Sequence, residues 1–179
     1  MKPISSSGLQ NLISSKKSKT DDGAGLPEKS CFILYVEDDE NNRIVAKERL
    51  GASHDLHLVS NAKEACFFLA DKGKELDVIL MDIELQESEM DGVTLTSLIR
   101  GMANLTSLPD YAQMVPTLDV PIIFVTAYGH RYEEKRLLAA GGDLVIRKPV
   151  NFVTLKMALT EIMLRKNQQK FQELRDQKS

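Results

Sequence analysis

The chain has 179 residues, of which 42% are hydrophobic and 27% charged, and its formal net charge is −3. This length favours one domain with extensions over two full domains, and the slight acidity argues against a nucleic-acid-binding surface. No apolar run is long enough to span a membrane, and the N-terminus lacks the apolar segment of a secretory signal. We therefore expect a cytoplasmic protein with no nucleic-acid and no membrane partner.

Residues 1–30 are rich in Ser, Lys, Gly and Asp, a composition that predicts a mobile N-terminal arm. Ordered structure should begin at Cys31, because a continuous apolar run starts there. Cys31 and Cys66 have apolar neighbours and lack metal-like spacing. We expect both thiols to be reduced and buried in the core.

The first part of the ordered region predicts two strands and two helices. Cys31–Val36 is apolar throughout and is followed by four acidic residues, 37–40. Asn41 or Asn42 can cap a helix that stops at Gly51. A short edge strand at 56–59 follows, and then apolar residues recur with helical spacing from 62 until Gly73 ends that helix.

The second part begins with a strand at 77–81, whose apolar run closes on Asp82. After a polar loop, Asp91-Gly92 precedes a helical face that runs to Met102. Residues 103–118 show no clear period and form a longer connection than usual. The remaining predicted elements are strands at 120–125 and 144–146, a helix at about 130–140, and a last helix from Asn151.

Five short strands that alternate with five helices predict a (βα)5 fold with a parallel sheet. Right-handed crossovers then place helices on both faces. The fold class we expect is a doubly wound α/β protein, with a domain at 31–165 and a helical extension or tail at 166–179.

A parallel sheet brings polar residues that follow four of the strands to one edge. They are Glu37, Asp38, Asp82, Thr126 and Lys148. Three close carboxylates cannot all remain ionised without a counter-charge, and Mg²⁺ with its preference for oxygen ligands meets that need. A carboxylate can act as a nucleophile, and phosphoryl transfer asks the protein chiefly for positioning and charge neutralisation.

Each of these residues also has a simpler interpretation. Asp82 could cap the loop that follows it, and the acidic stretch 37–39 could be a solvated helix start. Thr126 alone is typical of a turn, and Lys148 alone of a surface charge. Their joint placement after four strands favours the chemical interpretation.

Five short motifs resemble the receiver domain of two-component response regulators. They are Tyr35-Val36-Glu37-Asp38 with Asn42-Arg43 after it, Leu80-Met81-Asp82-Ile83, Met90-Asp91-Gly92, Phe124-Val125-Thr126-Ala127 and Arg147-Lys148-Pro149. They occur in the family's order and spacing, and the similarity covers about residues 31–165. The resemblance implies a flavodoxin-like sheet with strand order 2-1-3-4-5.

The resemblance also implies roles for the site residues. Asp82 would be the phospho-acceptor, and Mg²⁺ would bind Glu37, Asp38, Asp82 and the backbone carbonyl of Glu84. Thr126 would be the switch hydroxyl and Lys148 the phosphate-binding lysine, with a cis bond to Pro149.

One loop and one residue depart from the family's usual pattern. The loop from Asp82 to Asp91 is about two residues longer than the common form. Val145 stands where the family often has Tyr or Phe, so the aromatic switch is missing or has moved, Tyr128 being the candidate.

The implied function is that of a stand-alone receiver, since no output domain is visible in the sequence. It would take a phosphoryl group from a histidine kinase or phosphotransfer protein and then bind an unknown downstream protein. Such a domain catalyses its own phosphorylation and dephosphorylation and is not an enzyme in the usual sense. Leu164, Phe171 and Leu174 form a short apolar stripe that predicts homodimerisation or partner binding.

Two alternatives remain. The first is a degenerate receiver that serves as a constitutive interaction module; the acidic pair, Asp82, Thr126 and Lys148 argue against it. The second is a Mg²⁺-dependent phosphohydrolase of the haloacid dehalogenase type. That family has Asp-x-Asp after its first strand, where this chain has Glu37-Asp38-Asp39-Glu40.

Overall fold

A computed structural model describes residues 31–86, 88–127 and 131–176. Its centre is a five-stranded sheet in the order β2-β1-β3-β4-β5, with all neighbouring strands parallel. The predicted fold class and strand order are therefore confirmed. The elements are β1 (Phe32–Val36), α1 (Glu40–Leu50), β2 (Asp55–Val59), α2 (Ala62–Lys72), β3 (Val78–Asp82), α3 (Gly92–Ile99), β4 (Ile122–Thr126), α4 (Arg131–Ala139), β5 (Leu144–Arg147) and α5 (Phe152–Asp176).

The sheet is covered on both faces because its central strands are almost entirely apolar, apart from Tyr35 in β1 and the last residues of β3 and β4, Asp82 and Thr126. On one face Leu34, Ile79 and Phe124 pack against α2, α3 and α4. On the other face Tyr35 and Leu80 pack against α1 and α5. Successive side chains of a strand point to opposite faces, so the continuous apolar runs supply both layers.

Two helix boundaries differ from the sequence prediction. The N-cap of α1 is Asp39, whose side chain accepts a hydrogen bond from the backbone N–H of Asn42, so the prediction of Asn41 or Asn42 as the cap was wrong. Helix α3 ends at Ile99, and Gly101 has a φ of +69°. Met102 therefore leaves the helical face assigned to it and is 55% exposed.

The long connection between α3 and β4 contains two short 3₁₀ helices, Leu105–Ser107 and Asp110–Met114. Ala112 is fully buried in the core. Arg100 fastens the end of this connection by donating hydrogen bonds to the carbonyls of Leu118 and Gly141 and to Asp143. The connection is thus an ordered part of the domain.

Helix α5 has 25 residues and spans about 37 Å at 1.5 Å per residue. Its docking face includes Leu155, Leu159 and Ile162, as predicted. The helix continues without a break through residue 165, where we expected the domain to end. The predicted arm at 1–30, Tyr128, and the side chains of Phe171 and Leu174 lie outside the described part of the structure.

None of the helices in the described ranges is long and apolar enough to cross a membrane.

Candidate phosphorylation site

The sheet brings the carboxylates of Glu37, Asp38 and Asp82 together at its carboxyl edge. Asp82 is the last residue of β3, and Glu37 and Asp38 follow directly after β1. Each of the three offers a carboxylate oxygen within 4.8 Å of the other two. The strand pairing causes this proximity, because β1 and β3 are neighbours and Val36 is opposite Met81.

Lys148 supplies the counter-charge from the end of β5. Its ammonium donates to Oδ2 of Asp82 at 2.5 Å and lies 2.9 Å from both carboxylate oxygens of Glu37. The other oxygen of Asp82, Oδ1, accepts from the backbone N–H of Ile83 at 2.7 Å. The peptide bond from Lys148 to Pro149 is cis, as the resemblance implied.

Burial governs the proton affinity of these groups. Desolvation raises the pKa of Asp82 to about 6, because the ion pair with Lys148 compensates it only in part and the Glu37 charge adds to it. For Lys148, burial acts to lower the pKa, but the hydrogen bonds to Asp82 and Glu37 outweigh it and the pKa is raised. The ammonium therefore stays charged beside both carboxylates.

Glu37 is fully buried and accepts hydrogen bonds from two further side chains. The hydroxyl of Tyr35 donates to Oε2 at 2.6 Å, and Nδ2 of Asn42 donates to Oε1 at 2.8 Å. Burial and the adjacent Glu37 carboxylate raise the pKa of Tyr35. Arg43 braces the same turn by donating to the carbonyls of Glu37 and Asp38, both at 2.6 Å.

Tyr35, Asn42 and Arg43 contact Glu37 and lie within a motif quoted for the family resemblance, but the sequence prediction gave them no role in the site. One signal was available for Tyr35. It is the one residue of β1 with a polar group, and it stands two positions before Glu37, on the same side of the strand. Asn42 was assigned to helix capping, so no further role was inferred for its side chain.

The loop after β3 contacts the acidic cluster through Asp38, and the helix after it packs against Asp82. Oδ2 of Asp38 accepts from the backbone N–H of Gln86 at 3.0 Å, and Asp91 caps α3 by accepting from Thr94 N at 2.7 Å. Gly92 packs against the backbone of Asp82, where a Cβ would lie 1.8 Å from the Asp82 carbonyl oxygen. Glycine is required at this contact.

The roles predicted for Thr126 and Glu84 stay predictions, and the structure gives their places in the fold. Thr126 ends β4 and is buried, and its carbonyl accepts from the backbone N–H of Lys148 at 2.7 Å. Glu84 lies two residues after Asp82, exposed in the loop.

The donor set of the acidic cluster fits a hard divalent cation. All three groups offer carboxylate oxygen, which Mg²⁺ prefers. Lys148 pairs with two of the three carboxylates, Glu37 and Asp82, and its one positive charge cannot balance all three, so negative charge is left over for a cation to balance. Asp38 is partly exposed, which leaves the cluster open to solvent.

Residues 33–160 match the family model of the response regulator receiver domain. The chain belongs to this family. The resemblance found in its five motifs is therefore confirmed, and the fold described above is the receiver fold.

Similar proteins include both kinases and a response regulator. The receiver domain is 36% identical to a probable histidine kinase of Oryza sativa subsp. indica, in a match that covers 73% of this chain and 15% of that protein. It is 29% identical to the two-component response regulator ORR41 of Oryza sativa subsp. japonica, over 78% of this chain and 99% of that protein. The chain spans 15% or less of the four matched histidine kinases.

Among solved structures, the receiver domain of the sensor histidine kinase PA1611 from Pseudomonas aeruginosa PAO1 is 26% identical, with a TM-score of 0.57. The match covers 74% of this chain and 96% of that one. That structure has a magnesium ion coordinated in its active-site cleft.

Proposed function

We propose that this receiver domain accepts a phosphoryl group on Asp82 from a histidine kinase or a histidine phosphotransfer protein. The observation that carries the proposal is the position of the Asp82 carboxylate. It ends the central strand β3, 2.5 Å from the Lys148 ammonium and beside two further carboxylates. The kinases and the response regulator among its relatives support the same class of donor.

In the proposed reaction an oxygen of Asp82 attacks the phosphorus of a phosphohistidine. The P–N bond breaks, and its electron pair leaves with the imidazole, which takes up one proton from solvent, so the products are an aspartyl phosphate and a neutral histidine. Attack by water later returns the Asp82 carboxylate and inorganic phosphate. The protein thus holds the phosphoryl group for a limited time and acts as a signalling domain.

Lys148 neutralises charge during the transfer. Its ammonium holds Asp82 before the reaction and would pair with a phosphoryl oxygen afterwards, since it lies against the Asp82 carboxylate that would carry the group. Mg²⁺ held by Glu37, Asp38, Asp82 and the Glu84 carbonyl would balance the charge of the phosphoryl oxygens. The magnesium ion in the related PA1611 receiver domain supports this assignment.

The signal would pass through Thr126, whose hydroxyl could bind the new phosphoryl group at the end of β4. Val145, opposite Phe124 in the β4–β5 pair, replaces the aromatic side chain that the family often places there. We propose that phosphorylation changes the affinity of the domain for a downstream protein.

The test is labelling with acetyl phosphate and Mg²⁺, followed by intact mass measurement. The wild-type protein should gain one phosphoryl mass, and Asp82→Asn should gain none. Asp91→Asn is the matched control, because asparagine can also cap α3 and Asp91 is not among the clustered carboxylates. Equal labelling of wild type and Asp82→Asn would refute the assignment of Asp82.

A further inference from the structure

Among the three clustered carboxylates, Glu37 accepts hydrogen bonds from the most side chains. It is fully buried, and three side chains donate to its two oxygens: Tyr35, Asn42 and Lys148. Asp38, by contrast, is partly exposed and accepts a backbone N–H from Gln86. A carboxylate bound by three donors inside the protein is fixed in orientation and not merely present as a negative charge.

The position of Tyr35 fixes the orientation of the Glu37 carboxylate. Its ring belongs to central strand β1 and packs in the apolar layer under α1 and α5, where it is 3% exposed. The hydroxyl has no freedom beyond rotation of its own proton, and the O···O distance of 2.6 Å to Glu37 is typical of a strong, charge-assisted hydrogen bond. Asn42 holds the other oxygen from the first turn of α1.

We propose that Tyr35 and Asn42 are positioning residues for the Lys148 ammonium and act on it through Glu37. Lys148 has two acceptors, and the two have different tasks. Its contact with Asp82 is the one exchanged when Asp82 becomes phosphorylated, a step that rests on the proposed function. Its contacts with Glu37 need not break on phosphorylation, so the ammonium stays bound to Glu37 while its other partner changes.

The direction of the effect follows from the number of donors. Without the Tyr35 hydroxyl, Oε2 of Glu37 loses its shortest hydrogen bond, and the carboxylate can rotate within the space left behind. The Lys148 ammonium is then paired with a less ordered Glu37 carboxylate. Charge-assisted hydrogen bonds are among the stronger ones, so the loss should be measurable at Lys148, the residue to which Glu37 is bound.

The experiment compares Tyr35→Phe and Asn42→Ala with two control variants. Tyr35→Phe removes one hydroxyl and keeps the ring, and Tyr111→Phe does the same in the other apolar layer. Asn42→Ala removes one amide donor from α1, and Asn41→Ala removes the exposed neighbouring amide.

The first measurement is the NMR signal of the Lys148 ammonium in metal-free, unphosphorylated protein, assigned by its loss in Lys148→Met. Tyr35→Phe should speed exchange of the ammonium protons with water by about fivefold or more, as expected for loss of a charge-assisted hydrogen bond in the network. Asn42→Ala should act in the same direction, and both controls should match the wild type. A purely structural role would leave this signal unchanged in a folded variant.

The second measurement is the rate of labelling by acetyl phosphate, which should fall by about threefold or more in the same two variants. If wild-type protein takes no label, the proposed function fails, and the ammonium signal still decides the positioning role. Should Tyr35→Phe not fold, Asn42→Ala decides it. Folded variants with a wild-type ammonium signal would overturn the inference.

Discussion

The substitution Lys148→Met tests how strongly the site is held together by its single ammonium. Methionine keeps most of the length of the side chain and removes the charge. Lys148 pairs with Glu37 and Asp82, and the side chains of the three residues are 19%, 0% and 7% exposed, respectively. The variant therefore leaves two buried carboxylates without their cation.

Breaking a buried ion pair by removing one partner costs roughly 3–5 kcal/mol. Asp82 can relieve part of this cost by binding a proton, because burial already raises its pKa to about 6. Tyr35 and Asn42 still donate to Glu37. We therefore expect a loss near the lower limit, about 3 kcal/mol of unfolding free energy, in a domain that still folds because domains commonly have 5–15 kcal/mol.

The assay is urea unfolding followed by circular dichroism at pH 8 in EDTA. Lys72→Met is the matched control, because Lys72 forms an exposed pair with Glu75 and its loss should leave the midpoint unchanged. Adding Mg²⁺ should restore part of the stability of Lys148→Met, since a bound cation would replace the missing charge. A midpoint for Lys148→Met equal to that of the control would show that the ammonium does not stabilise the site.

Three further predictions concern other parts of the chain. Asp38→Ala removes one of three clustered carboxylates and so relieves their mutual repulsion. We expect its unfolding free energy in EDTA to equal or exceed that of the wild type, while acetyl phosphate should label it poorly. A marked loss of stability would contradict this prediction. Burial raises the pKa of Cys31 to about 11 and that of Cys66 to about 12. At pH 8 both thiols should therefore resist a disulfide reagent in the folded protein and react fully in urea. Rapid reaction of the folded form would refute this prediction. The predicted apolar stripe begins at Leu164, which is 57% exposed on α5, and we expect sedimentation to show weak, concentration-dependent self-association. A chain that ends at Asn167 loses Phe171 and Leu174 of the stripe but keeps the Lys166–Asp77 ion pair, so its self-association should be weaker. A monomeric full chain at all concentrations would exclude the prediction.

The sequence alone was sufficient to predict the parallel sheet and to predict that the polar residues after its strands lie at one edge. Continuous apolar runs such as Val78–Met81 can be satisfied only by burial on both faces, and alternation with helices forces a parallel arrangement. Once the strands are parallel, the residues that follow them share one edge. The positions of Asp82 and Lys148 follow from these local patterns and from topology, without knowledge of any side-chain contact.

The helix ends were less predictable, because several residues competed for each cap. Asp39, Asn41 and Asn42 are all good N-caps, and the choice of Asp39 depends on where the chain leaves β1. With Asp39 as cap, the Asn42 side chain is free to turn inward to Glu37. Local propensity could not separate these two outcomes, since each satisfies one hydrogen bond.

The hydrogen-bond network behind the acidic cluster was decided largely by the tertiary structure. Tyr35 and Glu37 are two residues apart on one side of β1, but this spacing alone does not determine whether the hydroxyl meets that carboxylate or solvent. Its partner is set by the face of β1 on which it lies and by the helices packed there. Likewise, Lys148 reaches Glu37 across 111 residues of chain. Such contacts arise because the parallel sheet brings the ends of β1, β3 and β5 to one edge, with β4 between β3 and β5. Burial then leaves each charged group only the partners that the fold supplies.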